Sequence, residues 1–485
     1  MELDPGLNVA PREIVHIHIM GICGTGMAAL AGMLQQSGFT ITGSDSHVYP
    51  PMSDFLADLG ITVCDGYSPQ NLVPQPDMVI VGNVITRKNP EAIALSKTII
   101  PYLSLPQTLS HFYITPLTSL VVAGTHGKTT ICSLLATALY RTGLDPTFMI
   151  GGIVSEFNSN FRLGTGPYFV AEGDEYDTAF FDKESKFLHY QPKVAIITSI
   201  EFDHADIFPD LDAIKQSFAK FVHLLPEDGL LIANLDDPNV AEIATQAPCP
   251  VEGYGLNPSY TWSLDNIVYA EGTTTFTVFH HGDKWSEMSV RMPGRHNCLN
   301  GLAVCAVMNH LGISPTEINK GLSSFGGVKR RQEIRAVENG VTVIDDFAHH
   351  PTAVRETLRA LRDAYKGQRL VVVFEPRTNS SRRSIFQEEY ISSFDDGDII
   401  LLREPLPLPD LSPEDLFSSA RLVQDLRDKH NLTARAFGTT EEILDYLATF
   451  LQKGDVVAIL SNGGFDNIHT RLIEQIKGGV QQKQS

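Results

Sequence analysis

The feature that most constrains the fold is a pair of glycine-rich loops, each following an apolar run. The first, residues 21–26, lies between the predicted strand Ile14–Met20 and the predicted helix Met27–Gln36. The second, residues 124–127, follows the predicted strand Leu117–Ala123 and also leads into a helical pattern. A strand, a glycine loop and a helix in this order open many nucleotide-binding α/β folds. Two such units far apart in the chain therefore indicate more than one domain.

The rest of the chain also alternates short apolar runs with helical patterns, which favours largely parallel sheets. Its 485 residues correspond to about three domains at roughly 150 residues each. We predict an α/β protein with a Rossmann-like domain at 1–115, a central P-loop domain at 116–335 and a second Rossmann-like domain at 336–485. Because ligands of open parallel sheets bind at the carboxyl ends of strands, we expect the three sites to face one cleft.

The first loop fits the pattern G-x-G-x-x-G/A and predicts a site for a pyrophosphate. Small residues let the backbone come close to the phosphates, and the helix N-terminus supplies N–H groups. An acidic residue follows at the spacing where a carboxylate can bond a ribose hydroxyl. The pattern suits a nicotinamide dinucleotide or a UDP-linked sugar, and a turn that only packs helix on strand also remains open. The candidate residues are Gly24, Thr25, Gly26, Met27 and Asp45.

The second loop has the sequence GTHGKTT at residues 124–130 and predicts a P-loop. Val122 stands where the standard pattern has a glycine, so the loop is tighter at its start. Lys128 is positioned to reach the β- and γ-phosphates of ATP, and the Thr129 hydroxyl to bind Mg²⁺. The predicted ATP-binding residues of the loop are Gly124, Thr125, His126, Gly127, Lys128, Thr129 and Thr130.

Two later apolar runs also lead into polar clusters. Glu172 follows the predicted strand Tyr168–Ala171, and His204 comes soon after the predicted strand Val194–Ser199. Because Mg²⁺ on a nucleotide prefers carboxylate and phosphate oxygens, we predict that Thr129, Glu172 and His204 hold metal. We expect the neighbouring acidic residues to be solvated; these are Asp174, Asp177 and Asp206.

Composition excludes several classes of partner. With 37 Lys and Arg against 57 Asp and Glu, the net charge is −20, which argues against binding nucleic acid. The sequence has no apolar run of about 18 residues and no secretory pattern, so we expect no membrane span and a cytoplasmic location. Six cysteines without a C-x-x-C pair fit a reducing compartment. None of these patterns indicates an oligomeric state.

Together these motifs resemble the Mur ligase family, and the match runs along nearly the whole chain. The family's P-loop is matched at residues 124–130, its strand-end carboxylate at Glu172 and its D-H pair at residues 203–204. Further matches, in the family's order, are H-N-x-x-N at 296–300, an arginine pair at 330–331 and D-x-x-H-x-P at 346–351. The family's usual tyrosine in the last motif is Phe347 here.

The resemblance implies an ATP-dependent ligase that forms an amide bond through an acyl phosphate, with Mg²⁺ in two sites. It implies catalytic roles for Lys128, His204 and His349. It also implies further ATP contacts from His296, Asn297, Asn300, Arg331 and Asp346. From the residues alone, other roles remain open: a helix cap for Asn297, a solvated basic turn for residues 330–331 and a polar loop for His350.

Within the family the chain resembles the branch that attaches a tripeptide during peptidoglycan recycling, through its segments 43–53, 375–380 and 461–469. That branch implies the substrates UDP-N-acetylmuramate and L-alanyl-γ-D-glutamyl-meso-diaminopimelate. A tripeptide brings several carboxylates, so we expect Arg377 at the rim of its site, although an interdomain salt bridge is an alternative. The predicted peptide-binding residues are Arg377, Asn379, Asn462, Gly463 and Gly464. Rival functions are a UDP-N-acetylmuramate:L-alanine ligase and an NAD-dependent dehydrogenase.

Overall fold

The protein is built on three main sheets, each covered by helices. The computed structural model describes residues 1–49, 52–408 and 411–483; Pro50 and Pro51 of the segment 43–53 lie outside them. The sheets confirm the predicted class, an α/β fold with three largely parallel domains. The exact domain boundaries stay a prediction, and the one between 335 and 336 falls inside a strand of the third sheet, Glu333–Glu338.

The first sheet has five strands, all parallel, in the order β3-β2-β1-β4-β5. The strands are β1 His16–Met20, β2 Thr40–Asp45, β3 Thr62–Asp65, β4 Met78–Val81 and β5 Tyr102–Ser104. The helices are α1 Thr25–Gln36, α2 Met52–Asp58, α3 Pro90–Leu95 and α4 Leu105–Leu109.

The central sheet has ten strands in the order β17-β16-β15-β14-β13-β12-β6-β9-β7-β8. Its middle is parallel, and its two ends are antiparallel. Its strands are β6 Thr118–Ala123, β7 Thr147–Val154, β8 Ser159–Arg162, β9 Tyr168–Gly173, β12 Val194–Ile197, β13 Leu230–Asn234, β14 Val251–Gly255, β15 Trp262–Ala270, β16 Thr273–His280 and β17 Asp283–Val290. A small hairpin joins β10 Asp177–Ala179 to β11 Asp182–Ser185. The helices are α5 Lys128–Arg141, α6 Leu211–Val222, α7 Pro238–Ala244, α8 Arg295–His310 and α9 Pro315–Ser324.

The third sheet has six strands in the order β18-β19-β23-β20-β21-β22, with only β18 antiparallel. The strands are β18 Glu333–Glu338, β19 Val341–Asp346, β20 Leu370–Phe374, β21 Ile399–Arg403, β22 Thr433–Phe437 and β23 Val456–Leu460. The helices are α10 Pro351–Ala364, α11 Glu389–Ser393, α12 Ser419–His430, α13 Thr440–Phe450 and α14 Ile468–Lys483.

Apolar patterning explains these elements. Strand β20 reads LVVVF and is buried at every position, as expected for a parallel strand covered by helices on both faces. Helix α10 buries Val354, Leu358 and Leu361, one face of a helix with period 3.6, and leaves its charged residues outside. No helix in the described part of the chain has both the length and the apolar character that crossing a membrane requires.

The first and central domains share one apolar core. Phe161 of β8 lies against Phe55 of the first domain, with ring centroids 6.3 Å apart. A Cβ atom added to Gly32 of α1 would lie 2.6 Å from the Phe161 ring, so the glycine allows this close approach. Phe181 packs edge-on against Tyr102 at 4.9 Å. Burial of this apolar surface joins the two domains.

The contacts between the central and third domains are mainly polar, although Phe202 of the central domain also packs near Phe386 of the third, with ring centroids 6.5 Å apart. The Ala205 backbone N–H donates to the Ser380 hydroxyl at 3.2 Å, and the Asn379 amide donates to Asp206 at 3.0 Å. The chain passes between the two domains through residues 325–332, whose Arg330 has a φ of 62°. We call residues 325–332 the tether.

Candidate active site

The P-loop lies at the carboxyl end of β6, in the middle of the central sheet. Gly124 has a φ of 129°, and a Cβ atom there would lie 2.1 Å from the Thr198 hydroxyl. Gly127, with a φ of 82°, begins helix α5, and a Cβ atom there would lie 2.9 Å from the Asn300 amide oxygen. Both glycines are therefore required by close contacts as well as by backbone conformation.

Lys128 is held by a buried carboxylate that the sequence did not single out. Its ammonium lies 2.9 Å from Glu175, whose side chain is 3% exposed. Burial alone would lower the pKa of Lys128, but Glu175, Asp174 and Glu172 raise it overall. The lysine is thus fully charged and faces the loop that is predicted to hold phosphates. Glu175 stands in an acidic segment, and the need of a buried lysine for a counter-charge is the signal that points to it.

His204 pairs with the same carboxylate, at 3.3 Å from its Nε2 atom. Burial alone would lower the pKa of His204, but the hydrogen bond and charge of Glu175, with Asp203 and Asp174, raise it to about 9. A protonated imidazole does not bind a metal. This protonation belongs to the site without an ion, so the predicted role of His204 at a metal ion stays a prediction.

Glu172 and Thr129 form the better-defined half of the predicted metal site. The Thr129 hydroxyl donates to Glu172 at 3.2 Å, and the Gly151 N–H donates to the same carboxylate at 2.6 Å. Burial raises the pKa of Glu172, although Lys128 and Arg331 oppose the shift. A hydroxyl and a buried carboxylate beside a P-loop fit Mg²⁺. Glu172 lies within β9 and not after it, as the sequence had suggested.

The three acidic residues expected to be solvated differ from one another. The Asp177 side chain is only 13% exposed and pairs at 2.5 Å with the exposed Lys183. Asp174, in contrast, pairs with Lys186 at 2.7 Å, and Asp206 accepts from the Tyr176 hydroxyl at 2.5 Å as well as from Asn379. Both are in contact with solvent as expected, since Asp206 is exposed and the Asp174 side chain is 37% exposed, so the residue that departs from the expectation is Asp177.

A cavity of about 500 Å³ opens beside the P-loop, between the central and third domains. Nine predicted ATP-binding residues line it: His126, Gly127, Thr129, Thr130, His296, Asn297, Asn300, Arg331 and Asp346. Gly124, Thr125 and Lys128 are not part of its lining. Sequence reasoning missed further lining residues, among them Asn234, Asp236, Asp237 and Glu356. Two of these, Asp236 and Asp237, follow strand β13, which is the same strand-end pattern that pointed to the other acidic clusters.

One end of the cavity carries polar atoms without protein partners. The Nδ1 atom of His296 and the Nε2 atom of Gln332 are buried and make no hydrogen bond. Burial lowers the pKa of His296 to about 4, so its ring is neutral. Because buried polar atoms are normally paired, these two fit a planar ligand with its own donors and acceptors, such as adenine.

The capping alternative for Asn297 is wrong. Helix α8 begins at Arg295 with Gly294 as its cap, so Asn297 lies inside the first turn. Its side-chain amide donates to the Pro293 carbonyl at 2.8 Å, and its oxygen accepts from Asn300 at 3.2 Å. The two amides therefore form one hydrogen-bonded pair at the cavity wall.

The arginine pair of the tether is not a solvated turn. Arg330 donates to the Gly463 carbonyl at 2.7 Å, and Arg331 donates to the Thr129 hydroxyl at 3.3 Å. The Arg331 guanidinium also lies 4.7 Å from the centre of the Phe347 ring. Phe347 thus supports the arginine by a cation–π contact where the family's tyrosine would offer a hydroxyl.

Asp346 and His349 follow strand β19 of the third domain. Asp346 accepts from the N–H groups of Gln332 at 2.7 Å and Ala348 at 2.8 Å, and burial raises its pKa. The Nδ1 atom of His349 lies 3.1 Å from the Phe347 carbonyl, and burial lowers the pKa of this histidine. His349 does not line the cavity, so its predicted catalytic role stays a prediction.

In the first domain, the glycine loop is held by Asp45. Its carboxylate accepts from the N–H groups of Cys23 at 2.9 Å and His47 at 3.1 Å. Gly24 caps helix α1, which begins at Thr25, as a pyrophosphate site requires. The contact of Asp45 with a ribose stays a prediction, and its observed role is to fix the loop.

The predicted peptide rim is partly formed. Arg377 is 53% exposed and its nearest carboxylate is Glu375 of its own domain at 3.8 Å, so the interdomain salt-bridge alternative is wrong. A Cβ atom on Gly463 would lie 2.2 Å from the Arg377 side chain, whereas Gly464 faces open space. The Oδ1 atom of Asn462 is buried without a partner. Asn379 instead bonds Asp206 across the domain interface, as described above.

Comparison with known proteins matches three stretches of the chain to models of Mur ligase domains. Residues 16–114 match the Mur ligase family catalytic domain, 122–308 the middle domain and 330–463 the glutamate ligase domain. A UDP-N-acetylmuramate–L-alanyl-γ-D-glutamyl-meso-2,6-diaminoheptandioate ligase of Escherichia coli is 39% identical, over 95% of this chain and 98% of its own. A UDP-N-acetylmuramate–L-alanine ligase of Geobacter sulfurreducens is 34% identical over 93% and 95%. The crystal structure of a murein peptide ligase from Psychrobacter arcticus is similar with a TM-score of 0.71 and 34% identity, over 96% and 99%.

Proposed function

This chain belongs to the Mur ligase family, and we propose that it joins UDP-N-acetylmuramate to L-alanyl-γ-D-glutamyl-meso-diaminopimelate, using ATP, in the recycling of peptidoglycan. A relative named for that activity is 39% identical along nearly the full chain, whereas a relative named as an L-alanine ligase is 34% identical. The match over residues 16–114 assigns the first glycine loop to a Mur ligase domain, which leaves the dehydrogenase alternative without support.

The observation that carries the ATP part of the proposal is the cavity beside the charged Lys128. A P-loop leads into this cavity, and unpartnered polar atoms of His296 and Gln332 lie at its wall. The ammonium of Lys128 lies at the end of β6, where the terminal phosphates of a P-loop nucleotide bind. The P-loop suits the phosphates of a nucleotide, and the wall with His296 and Gln332 suits its base.

The carboxylate of the sugar must be activated before it can form an amide. An amine does not displace oxide from a carboxylate, because oxide is a very poor leaving group. Transfer of the γ-phosphoryl group of ATP to the sugar's carboxylate gives an acyl phosphate and ADP. Attack by the peptide's α-amine then forms the amide and releases phosphate. Catalysis of the first step is mainly positioning and neutralisation of charge. In our assignment Lys128 neutralises the transferring phosphoryl group, and Arg331 contacts the nucleotide from the tether.

Mg²⁺ would be held by Thr129 and Glu172, and a bound ion supplies positive charge to the phosphate oxygens. We assign a second ion to the side of His204, in a state where its ring has left Glu175. Asp346 is assigned to the ribose and His349 to the phosphate region. Because these residues come from two domains, we expect closure of the third domain on its ligands.

The peptide part of the proposal depends on the rim of the third domain. Arg377 offers a half-exposed guanidinium that can bind a carboxylate with two hydrogen bonds. Gly463 lies against the Arg377 side chain. Its neighbours in sequence offer an unpartnered side-chain oxygen at Asn462 and open space at Gly464. L-Alanine has one carboxylate, whereas the tripeptide has several, so this rim suits the larger substrate better. We expect the enzyme to act in the cytoplasm.

The experiment supplies ATP, Mg²⁺ and UDP-N-acetylmuramate and follows phosphate release with the tripeptide, with L-alanine and with neither. We expect turnover with the tripeptide and background release with the other two. Turnover with L-alanine alone would assign the chain to the rival ligase. Phosphate release without any amine would indicate hydrolysis of the acyl phosphate and leave the acceptor undefined.

Arg377→Lys tests the rim in the same assay. We expect the KM for the tripeptide to rise about tenfold while the KM for ATP is unchanged, because a lysine keeps the charge but loses the planar fork. The matched control is Arg383→Lys in the same domain, which we expect to leave both values near wild type. A rise in KM for ATP in the Arg377 variant would contradict a role confined to the peptide.

A further inference from the structure

Three side chains outside the predicted magnesium ligands meet where the central and third domains touch. His126 belongs to the P-loop, Glu201 to the loop after β12, and His350 caps helix α10 of the third domain. The His126 Nε2 atom lies 3.1 Å from the Glu201 carboxylate, and the His350 Nδ1 atom lies 3.3 Å from the same oxygen. All three potential ligand atoms lie within 4.8 Å of one another. We call these residues the His–Glu–His cluster.

Hydrogen bonds fix the state of the His350 ring. Its Nε2 atom lies 3.2 Å from the Phe202 carbonyl, which can only accept, so Nε2 carries the proton. Its Nδ1 atom accepts from the Thr352 backbone N–H at 3.3 Å, so Nδ1 carries a lone pair. That lone pair also faces a carboxylate oxygen of Glu201. Two acceptors at this distance repel each other unless a proton or a cation lies between them.

A proton is the less suitable bridge. Burial, together with the neighbouring His126, lowers the pKa of His350 to about 4, so near neutral pH the ring is uncharged. A proton or a cation on Nδ1 would each take the lone pair that accepts from the Thr352 N–H at 3.3 Å, so the helix cap does not distinguish between them. A cation bound to Nδ1 would leave Nε2–H bonded to the Phe202 carbonyl. This is the arrangement that orients histidines bound to metals.

The ligand set and spacing identify the class of cation. A set in which two of the three ligands are imidazoles suits Zn²⁺ better than Mg²⁺, which prefers a majority of oxygen ligands. In a tetrahedral zinc site with bonds near 2.0–2.1 Å, ligand atoms lie about 3.3 Å apart. The two measured separations, 3.1 and 3.3 Å, are close to this value. His126 and Glu201 line the cavity and are 24% and 31% exposed, so an ion can enter and a fourth position can hold water.

We propose that His126, Glu201 and His350 form a Zn²⁺ site that fastens the third domain to the central domain. Two ligands come from the central domain and one from the third, so a bound ion links the two domains directly. The other contacts around the cluster are hydrogen bonds and the packing of Phe386 on His350, with ring centroids 4.8 Å apart. The site is separate from Thr129 and Glu172, and its existence does not depend on the proposed substrates.

The test measures Zn²⁺ binding to the full chain by competition with a chromophoric chelator, without nucleotide and in excess Mg²⁺. We expect one tight Zn²⁺ per chain. The variants His350→Gln, Glu201→Gln and His126→Gln should each lose more than about 100-fold in affinity, because even changes beside a zinc ligand weaken binding about 10- to 100-fold. The matched controls His296→Gln and Glu356→Gln alter a histidine and a glutamate of the same cavity, and should bind as wild type.

A second measurement replaces Zn²⁺ with Co²⁺ and records its visible absorption, which reports tetrahedral ligands directly. We expect an intense visible band in the wild-type chain and its loss in the three variants. Since His350 caps a helix, thermal unfolding without metal checks that its variant folds; if it does not, Glu201→Gln, which caps nothing, carries the test. Absence of tight Zn²⁺ binding, or binding that survives in any of the three folded variants, would overturn the proposal.

Discussion

The central domain meets its two neighbours in opposite ways. Toward the first domain it presents Phe161 and Phe181, which pack on Phe55 and Tyr102 within a shared apolar core. Toward the third domain it presents mainly hydrogen-bonding groups, such as Ala205 against Ser380 and Asp206 against Asn379, beside the contact of Phe202 with Phe386. Apolar burial is lost when the surfaces separate, whereas polar groups exchange protein partners for water or ligand at small net cost. The first interface therefore behaves as a fixed joint, and the second, while no cation fastens it, as one that ligands can open and close.

The largest expected effect is on catalysis at the polar side. In Lys128→Ala, we expect kcat for phosphate release to fall by about 10³-fold or more, since removal of one preorganised charge from a phosphoryl-transfer site has this order of effect. Steady-state kinetics with the tripeptide measure it. Lys193→Ala removes another lysine of the central domain, the one paired with Asp228, and should stay near the wild-type rate. A normal rate in the Lys128 variant would remove the basis for placing chemistry on this side.

The next effect is on stability at the apolar side. We expect Phe161→Ala to lower the free energy of unfolding by about 3–5 kcal/mol, because it leaves a cavity between two domains. Chemical denaturation followed by tryptophan fluorescence measures this, since both tryptophans, Trp262 and Trp285, belong to the central domain. The exposed Ile99→Ala is the control and should change stability by less than about 0.5 kcal/mol. An inactive but fully stable Phe161 variant would break the contrast between the two interfaces.

A smaller effect is expected from Arg331→Lys, which keeps the charge but loses the planar stack on Phe347. We expect the KM for ATP to rise about tenfold, which corresponds to roughly 1.4 kcal/mol, with no change in melting temperature. Arg335→Lys, which alters an arginine paired with Asp345 at 3.0 Å, is the control and should leave the KM for ATP unchanged. A fall in melting temperature with unchanged KM would make Arg331 a structural residue.

The smallest effect concerns the pH dependence of stability in the first domain. Burial alone would raise the pKa of Glu91, but hydrogen bonds from His18, Asn71 and Ser44 lower it below its usual value of 4.5. A carboxyl with a lowered pKa stabilises the fold above pH 4.5, and this contribution is lost as the pH falls through the lowered value. We expect Glu91→Gln to be less stable than wild type at pH 6 and the difference to shrink toward pH 4.

The same measurement tests whether the first two domains unfold together. Glu91 lies in the first domain and the tryptophans lie in the central one. With a shared core, the fluorescence transition of the central domain should move with Glu91→Gln. The exposed Glu2→Gln, which changes a carboxylate of the same domain, should leave it in position. A fluorescence transition that does not shift in Glu91→Gln would mean that the two domains unfold separately.

The fold was predictable from sequence because its signals are local. The strands at β1, β6 and β20 are apolar runs bounded by glycine or polar residues, and their order alone gives three parallel sheets. The P-loop was predictable for the same reason, since its residues are consecutive. Strand ends were less certain: β9 continues through Glu172 because its backbone still pairs with Val122 of β6 there.

The partners within the site were not predictable, because they come from distant segments. Glu175 pairs with Lys128 across 47 positions, and nothing in its own neighbourhood separates it from Asp174 or Asp177. His350 seemed to belong to a polar loop, yet it is buried and faces Glu201 in another domain. Asn297 lies inside its helix because Gly294, with a φ of 104°, already starts it.

The tether has a consequence for how binding and domain orientation influence each other. Arg331 and Gln332 are part of the covalent connection between two domains, and both are also part of the cavity wall. A nucleotide that contacts them acts on the hinge itself, so no relay through the protein is needed. Thermodynamic reciprocity then applies: the factor by which a bound nucleotide favours the closed arrangement is also the factor by which closure raises the affinity for nucleotide. Nucleotide binding and closure of the third domain would thus favour each other, with the tether as the element they share.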